Sequence, residues 1–479
     1  MSGTKNVVVL PKTASESKTA SESKTGIEEP GINEPIRITN VTQDLQNPNL
    51  YRFTLENTHV SYANTFRRLI MTGVETIAFN ADMKNGTTTD VTVLKNDTPM
   101  TNEMLAHRIG LVPITIKSPM TFKGVDYTFT LDVTGEPDKM RDVTCSDFVI
   151  TKNPVSEGKE PTVLPTDEFF PKHPISKSTC LIATLPVGTT RLHLVAGASR
   201  GTGRQNSRWQ SISQCSYTYT LDKDRARQEE YLNKWLREVK KYEYTEEDKD
   251  TPKYKAYLRE FQTMEINRIY KRLPNGEPYS FDFVIETIGT LDVPYIIYRA
   301  CDVGMGMMSP FFNIDQEGFN PKDYGITIMP SVSNTFGVDF ILEHQDHTFG
   351  NMIQTYLAEN HMADQIKDTT TQKIVYVGYE IPHQLRDEMV LRIGLDTDTK
   401  NPIADARRAF AQACNGCYEI FIKMRGAFSG TELERTDIKE PDATPKVAAP
   451  KAAPKAAPKG AATSAKSKRQ FPTALQPTK

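Results

Sequence analysis

Of the six cysteines, only Cys414 and Cys417 lie close together, and a C-x-x-C spacing can form a redox couple or supply half of a tetrahedral zinc site. A zinc site needs a second pair, and Cys145, Cys180, Cys215 and Cys301 are each isolated along the chain. The sequence therefore implies folding without metal or cofactor, with Cys417 serving as a small apolar residue. No GxxxxGK[ST] phosphate loop, HExxH or GxSxG occurs, and the DTDT run from Asp396 reads as a turn rather than a metal-holding aspartate set. What remains is recognition chemistry. Arg67 and Arg68 follow Phe66 on a helix face turned away from Leu69 and Ile70; they suit interface ion pairs or a solvated cationic face. Asn64 and Asn351 are helix-embedded amides, fitted either to an interface or to local backbone bonding. His107 and Arg108 pose the same choice. The Gly- and Arg-rich loop from Gly197 to Trp209 could hold phosphate or dock on a neighbour, and docking is the favoured reading.

The chain that must position these residues has 479 residues, 58 Lys+Arg against 60 Asp+Glu, and a net charge of -2, which excludes a uniformly basic nucleic-acid coat. Its length suggests about three domains' worth of chain, while an apolar fraction of 38% implies that part of it stays out of any core. The most apolar stretch, Tyr295 to Phe312, is interrupted by Arg299 and Asp302, so no membrane span is expected. The N-terminus lacks a signal-peptide apolar region, and the scattered cysteines fit a reducing compartment. Both ends read as disordered tails, at 1–35 and 432–479. The first repeats a small, charged unit in TASESKTASESKT. The second runs KVAAPKAAPKAAPKGAATSAKSKRQ, basic after Lys446 and broken by proline at every fourth residue.

An internal repeat organises the remainder. FTLENTHVSYANTFRRLI from Phe53 and FILEHQDHTFGNMIQTYL from Phe340 align without gaps at Phe53/Phe340, Leu55/Leu342, Glu56/Glu343 and Asn64/Asn351. Each opens as an alternating strand and turns into an amphipathic helix. Ser61 is the expected N-cap of the first helix and Gly73 its stop; Asp346 or Thr348 caps the second. Two copies of one strand–turn–helix unit imply a pseudo-symmetric pair that packs on itself. A longer helix closes the second copy, where Ile403, Ala406, Phe410, Ala413, Cys417, Ile420 and Met424 recur in steps of three and four, the pattern of a helix–helix seam. Gly416 weakens this helix by roughly 1 kcal/mol relative to Ala, a cost that close approach would explain.

NTFRRLI from Asn64 and AHRIGLVPI from Ala106 resemble the assembly subunit of DNA-directed RNA polymerases: the bacterial alpha N-terminal domain, the archaeal D subunit and the third-largest eukaryotic subunit. HPISKSTCLIATL from His173, SRWQSISQCSYTY from Ser207 and FVIETIGTLDV from Phe283 follow in that family's order. EHQDHTFGNMIQTYL from Glu343 and NPIADARRAFAQACNGC from Asn401 resemble its smaller partner, archaeal L or the eleventh eukaryotic subunit. The chain thus resembles a fusion of both, an arrangement similar to that in large nucleocytoplasmic DNA viruses. The resemblance implies an α+β fold of two dimerisation units forming an intramolecular pseudo-heterodimer. The first unit would take 36–81 and 222–312, carrying a charged helical insertion at 222–273. An inserted β-rich domain would occupy 82–221, a connector 313–335 and the second unit 336–431. In the charged insertion, Leu232, Trp235, Leu236 and Val239 suggest one amphipathic helix and Tyr254, Leu258, Phe261 and Met264 another; neither matches the family. Nor does the inserted domain carry the cysteine cluster of some members.

By this resemblance the protein is non-catalytic and holds the two largest polymerase subunits together, with small polymerase subunits as further partners. DNA is met only through the complex; no membrane and no homo-oligomer are expected. Asn64, Arg67, Arg68, His107, Arg108 and Asn351 would face partners, while Phe66, Ile70, Ile353, Phe410, Cys417 and Met424 would form the intramolecular seam. The implied location is the viral factory in the host cytoplasm, and the virion, with the nucleus as alternative. A different class of function, a stand-alone nucleic-acid binder using the basic tail and the Arg-rich loop, is opposed by the near-zero net charge and the absence of regularly spaced aromatics over a basic sheet.

Overall fold

The computed structural model describes residues 34–84, 87–88, 90–153, 161–173, 175–333, 335–362 and 371–431. Both expected tails lie almost wholly outside these residues. The described chain falls into two compact units. The fold class is α+β, as the sequence implied.

The first unit takes residues up to Met308 together with Asn351–Tyr356 and the chain from Asn415. Its central sheet has the order Arg37–Gln43, Leu50–Glu56, Ser280–Thr287, Ile212–Tyr219, antiparallel throughout. Phe53 pairs with Phe283 across this sheet, their rings stacked at 5.2 Å. Helix α1 (Val60–Thr72) buries Tyr62, Ala63, Phe66, Leu69 and Ile70 on one face, which the i, i+4, i+7, i+8 spacing requires. Gly73 ends it, its N–H donating to the Leu69 carbonyl.

The inserted body is built on a five-stranded sheet in the order Thr162–Leu164, Phe148–Lys152, Tyr127–Thr134, Arg191–Ala196, Val91–Asn96. Beside it, Arg141–Thr144 pairs with Leu181–Leu185 as a two-stranded ribbon. Phe79, Phe129, Phe148 and Phe170 are fully buried at its centre, with neighbouring rings 5.1 to 6.4 Å apart. Helix α2 (Asn102–Gly110) is capped by Thr101, whose hydroxyl accepts the Met104 N–H at 3.3 Å. The expected insert boundary at 221 is too late. Ile212–Tyr219 is an edge strand of the central sheet, and Ser199–Thr202 pairs with Glu75–Ala78. The insert's own core spans Ile77 to Ala198. The sequence set the boundary too late because nothing local reveals which sheet a strand joins.

The charged insertion folds on a small core of its own. Helices α3 (Arg225–Glu238) and α4 (Pro252–Glu260) bury Leu232, Trp235, Leu236 and Tyr254, and Phe261 and Ile269 complete the cluster. Val239 and Met264, expected on the apolar faces, are 64% and 68% exposed: Val239 is the C-cap of α3, and after α4 the chain passes into a π-turn that shifts the helical phase. Helix α5 (Val293–Met308) then returns the chain to the central sheet's layer, touching α1.

The second unit takes Ser309–Gly350 and Leu357–Cys414. Its sheet order is Ile326–Pro330, Gly337–Glu343, Glu388–Gly394, Tyr376–Glu380. The connector expected at 313–335 therefore includes a strand of this sheet. Helix α6 (His347–Asn360) is capped by Asp346, whose carboxylate accepts the Thr348 N–H at 2.8 Å, as the sequence implied. Helix α7 (Pro402–Phe428) is 27 residues long. Phe410 on it stacks on Phe340 at 5.2 Å and meets Phe311 at 5.7 Å and Phe349 at 6.3 Å. Phe410 thus lies in the second unit's own core and not in the seam assigned to it. The heptad pattern is continuous along α7, but its first half faces that unit's sheet. Ile403, the first seam position, is 40% exposed. No helix among the described residues is long and apolar enough to cross a membrane.

Candidate subunit-docking site

Helix α1 is the element from which the site is built, and its start differs from expectation. His59, not Ser61, is the N-cap: its Nδ1 accepts the Ser61 N–H at 3.1 Å. The ring is largely buried, with Nε2 3.4 Å from a Glu277 carboxylate oxygen. Burial pushes the imidazole below its ordinary range, and the Glu277 charge pulls back against it. An imidazole cap leaves the Ser61 hydroxyl for other work. Ser61 Oγ accepts from Asn351 Nδ2 at 3.1 Å and from the Thr355 hydroxyl at 2.9 Å, which joins the first repeat to the helical residues of the second within one compact unit. Asn351, expected to face a partner chain, thus has its amide committed inside the molecule.

The last turns of α7 complete this packing. Phe428 lies 5.5 Å from Phe53 and 5.8 Å from Phe66, and Cys417, Phe421 and Met424 are fully buried. Ile70 and Ile353 are buried as well. Gly304 on α5 is required by the Phe421 ring, since a Cβ there would come 2.6 Å from two ring carbons. At Gly416 a Cβ would overlap the Tyr356 ring, so close approach is why the helix accepts glycine.

Sequence reading missed a cluster of charges beside these rings. Arg299 holds Glu75 bidentately at 2.9 and 2.7 Å, and Arg425 reaches Asp302 at 3.5 Å. Burial raises the Asp302 carboxyl, against the pull of Arg425 and Arg299. For Glu75 burial acts the same way, but the Arg299 hydrogen bond and charge outweigh it and the pKa falls. The signal was present: Arg299 and Asp302 interrupt an apolar run, and charges in such a place need partners.

The outward face of α1 carries Asn64 and Arg67. Arg67 Nε donates to Asn64 Oδ1 at 3.1 Å, and the pair lines an open groove with Ser216, Tyr217, Thr218 and Tyr219 of the edge strand. Arg67 Nη1 also donates to the Met71 sulfur at 3.3 Å, which holds the guanidinium along α1, while Thr218 and Tyr219 stay exposed. Cys215, at the groove's base, has its thiol pushed up to about 12 by burial despite Arg67 nearby, so it is inert. Arg68 is half-buried on the same helix.

The Gly- and Arg-rich loop is structural at its centre. Arg208 binds Asn80 at 2.9 Å and Asp82 at 2.5 Å, and the Trp209 indole donates to the Ser199 carbonyl at 3.0 Å. Arg204 N–H donates to the Thr72 carbonyl at the end of α1, and Gly110 at the end of α2 approaches Arg208. The loop therefore bridges the C-terminal ends of α1 and α2. On α2, His107 and Arg108 are exposed between Met104 and Leu111, themselves 61% and 56% exposed. Apolar side chains flanking an exposed arginine and histidine make a surface suited to a protein partner.

Residues 52–305 match the RNA polymerase Rpb3/Rpb11 dimerisation domain family, and residues 338–425 match it a second time. The chain is 24% identical over 260 residues to the DNA-directed RNA polymerase subunit Rpo3 of Methanosphaera stadtmanae, covering 52% of this chain and 89% of that protein. It is 26% identical over 276 residues to Rpo3 of Pyrococcus furiosus, covering 55% and 91%. Against subunit 3 of the DNA-directed RNA polymerases II, IV and V of Arabidopsis thaliana the figures are 26% over 190 residues, 36% and 54%.

Proposed function

The chain belongs to the RNA polymerase Rpb3/Rpb11 dimerisation family, and from that premise we propose that it is a non-catalytic assembly subunit of a DNA-directed RNA polymerase, holding the two largest subunits together. The observation that carries this reading is the bonding of Asn351 and Thr355 to Ser61: a family defined by dimerisation appears twice in one chain, and the helical residues of the second copy are bound to those of the first. A partner surface built within one chain loses little freedom when large subunits dock on it. The groove of Asn64, Arg67, Tyr217 and Tyr219 supplies a preset arginine and two aromatics, the residue types that dominate interface energetics. His107 and Arg108 on α2 extend the docking surface. The fused arrangement resembles that of large nucleocytoplasmic DNA viruses, and action in the host cytoplasm belongs to the same proposal; fractionation of infected cells tests it.

The test is co-purification of the large subunits with chains carrying Arg67→Ala and Arg68→Ala together. The isolated double variant keeps its fold, since half-exposed helical arginines contribute little to stability. Recovery of the large subunits falls at moderate salt. Deleting the chain after Lys446 costs far less, because a basic segment of that composition supplies only salt-sensitive attraction. Normal assembly by the arginine variant, with assembly lost in the deletion, overturns the placement of the interface.

A further inference from the structure

Cys145 and Cys180 are 35 residues apart in sequence, yet the end of the ribbon in the inserted body brings them together, joined by a backbone hydrogen bond. Leu181 pairs with Thr144 at the end of the ribbon, and just beyond it, where Cys145–Asp147 turns into a short 3-10 helix, the Cys145 N–H donates to the Cys180 carbonyl at 3.0 Å and the Ser146 and Thr179 hydroxyls meet at 2.8 Å. A backbone hydrogen bond between the two residues brings their main chains close enough for a disulfide, which spans Cα separations of about 4.4 to 6.8 Å. The two thiols lie near enough for each to shift the titration of the other, and the Cys180 sulfur itself faces the Leu181 carbonyl at 3.9 Å. Both are free, and their exposures differ: Cys145 is wholly buried in the insert's core, whereas Cys180 opens to solvent. Arg108 donates to the Leu181 carbonyl at 3.1 Å and so stands beside the Cys180 sulfur.

We propose that Cys180 and Cys145 form a thiol–disulfide exchange site, with Cys180 as the attacking thiol and Cys145 as the resolving one, and with low-molecular-weight disulfides such as oxidised glutathione as the oxidant. The Cys180 thiolate attacks one sulfur of the small disulfide; that S–S bond breaks, and one small thiolate leaves and takes a proton from water. The Cys145 thiol then gives up its proton as its sulfur attacks Cys180, releasing the second small thiol. Two protein thiols are oxidised, one disulfide is reduced to two thiols, and the ribbon is closed by a covalent bond. The division of labour follows from the surroundings. The neighbouring Cys145 thiol and the Arg108 charge bring the Cys180 thiol down to about 6 against the opposing effect of burial, and this lowering favours its thiolate. The Cys145 thiol is driven the other way, by the neighbouring Cys180 and by burial, and keeps its proton.

The experiment uses the full reduced chain incubated with excess oxidised glutathione, followed by alkylation and peptide mapping. The expected result is a Cys145–Cys180 disulfide, with Cys215, Cys301, Cys414 and Cys417 still alkylated only after denaturation, and full reversal by reduced glutathione. Cys145→Ser should stop at a stable glutathione adduct on Cys180, and Cys180→Ser should yield neither adduct nor disulfide. Limited alkylation of the native wild-type chain should mark Cys180 at least tenfold faster than the other five cysteines. That measurement does not depend on any variant folding. A wild-type chain that retains the adduct on Cys180 without closing the disulfide overturns the proposal, as does Cys180 reacting no faster than an unfolded cysteine peptide.

Discussion

The two repeats start from the same strand–turn–helix pattern and are finished differently. In the second, Phe410 from α7 sits on Phe340 and Phe349, so the unit's long helix seals its own sheet before running on. In the first, the stacked pair Phe53 and Phe283 is covered by Phe66 and by Phe428, a residue from the far end of that same helix. One helix of 27 residues, about 40 Å long at 1.5 Å per residue, therefore contributes to two cores. The shorter α5 has no second core to reach. It carries Gly304 instead of a large side chain and receives the Phe421 ring. The lesson is that a single heptad pattern does not define a single interface.

The largest effect should come from breaking that shared helix where it serves only one core. Phe410→Ala removes a fully buried ring and should cost about 3–5 kcal/mol. Hydrogen exchange should then lose protection in Gly337–Glu343 and Glu388–Gly394, while Leu50–Glu56 and Ser280–Thr287 stay protected. Equal loss in both sheets would mean that Phe410 is a seam residue after all.

Gly304→Val tests the other end. The added branches meet the Phe421 ring, and overpacking of this kind costs about 1–3 kcal/mol. Protection should fall in α1 and α5 first. If thermal unfolding does not change, the ring is free to move and the close approach is not a constraint.

Much of this architecture was legible because it is periodic. Phe53, Leu55 and Phe66, and Phe340, Leu342 and Phe349, announce strand and helix by spacing alone, and the gapless alignment exposed the duplication. Asp346 was readable as a cap because its carboxylate needs only the next turn. What stayed hidden depends on residues far apart. Ser61 looked like a cap because serine favours that position, but His59 took the role and Ser61 turned to Asn351, 290 residues away. Cys145 and Cys180 looked scattered because strand register is set by the whole sheet and not by neighbours. Phe410 was placed on the right face of the right helix and assigned to the wrong core, since periodicity gives a direction and not a destination. For the proposed docking face, Asn64 and Arg67 were named together, but the tyrosines that complete their groove belong to an edge strand that was assigned to the insert.

Ser61→Ala should have a smaller effect. It removes the acceptor of two hydrogen bonds and leaves the Asn351 amide seeking another, a loss of about 1–2 kcal/mol. A double-mutant cycle with Asn351→Ala should show coupling, because the two substitutions delete the same bond. Strict additivity in denaturant melts would place the link elsewhere, and the two repeats would then be held by their aromatic contacts alone.

The smallest effect concerns acid, and it separates the repeats by their histidines. His59 caps α1 through an unprotonated Nδ1, and burial holds it below the ordinary value of 6.5. His361, the C-cap of α6, is also depressed by burial, with its Nδ1 2.9 Å from the Gln372 carbonyl. A folded-state pKa below the unfolded one means that the unfolded chain binds more protons. Each histidine therefore stabilises the fold fully above pH 6.5, and that contribution is lost as pH falls from there through the folded value. The roles differ on protonation. A charged His59 can no longer accept the Ser61 N–H and loses its cap, softened by the attraction of Glu277. A charged His361 can still donate to the Gln372 carbonyl and pays mainly for burial. His59→Asn keeps a side-chain oxygen for the cap and removes the titration, since asparagine is among the best N-caps. The melting temperature of this variant should fall less between pH 7 and pH 5 than that of the parent chain, with protection of α1 accounting for the difference. If both chains lose the same stability over that interval, the acid sensitivity belongs to His361 and the second repeat.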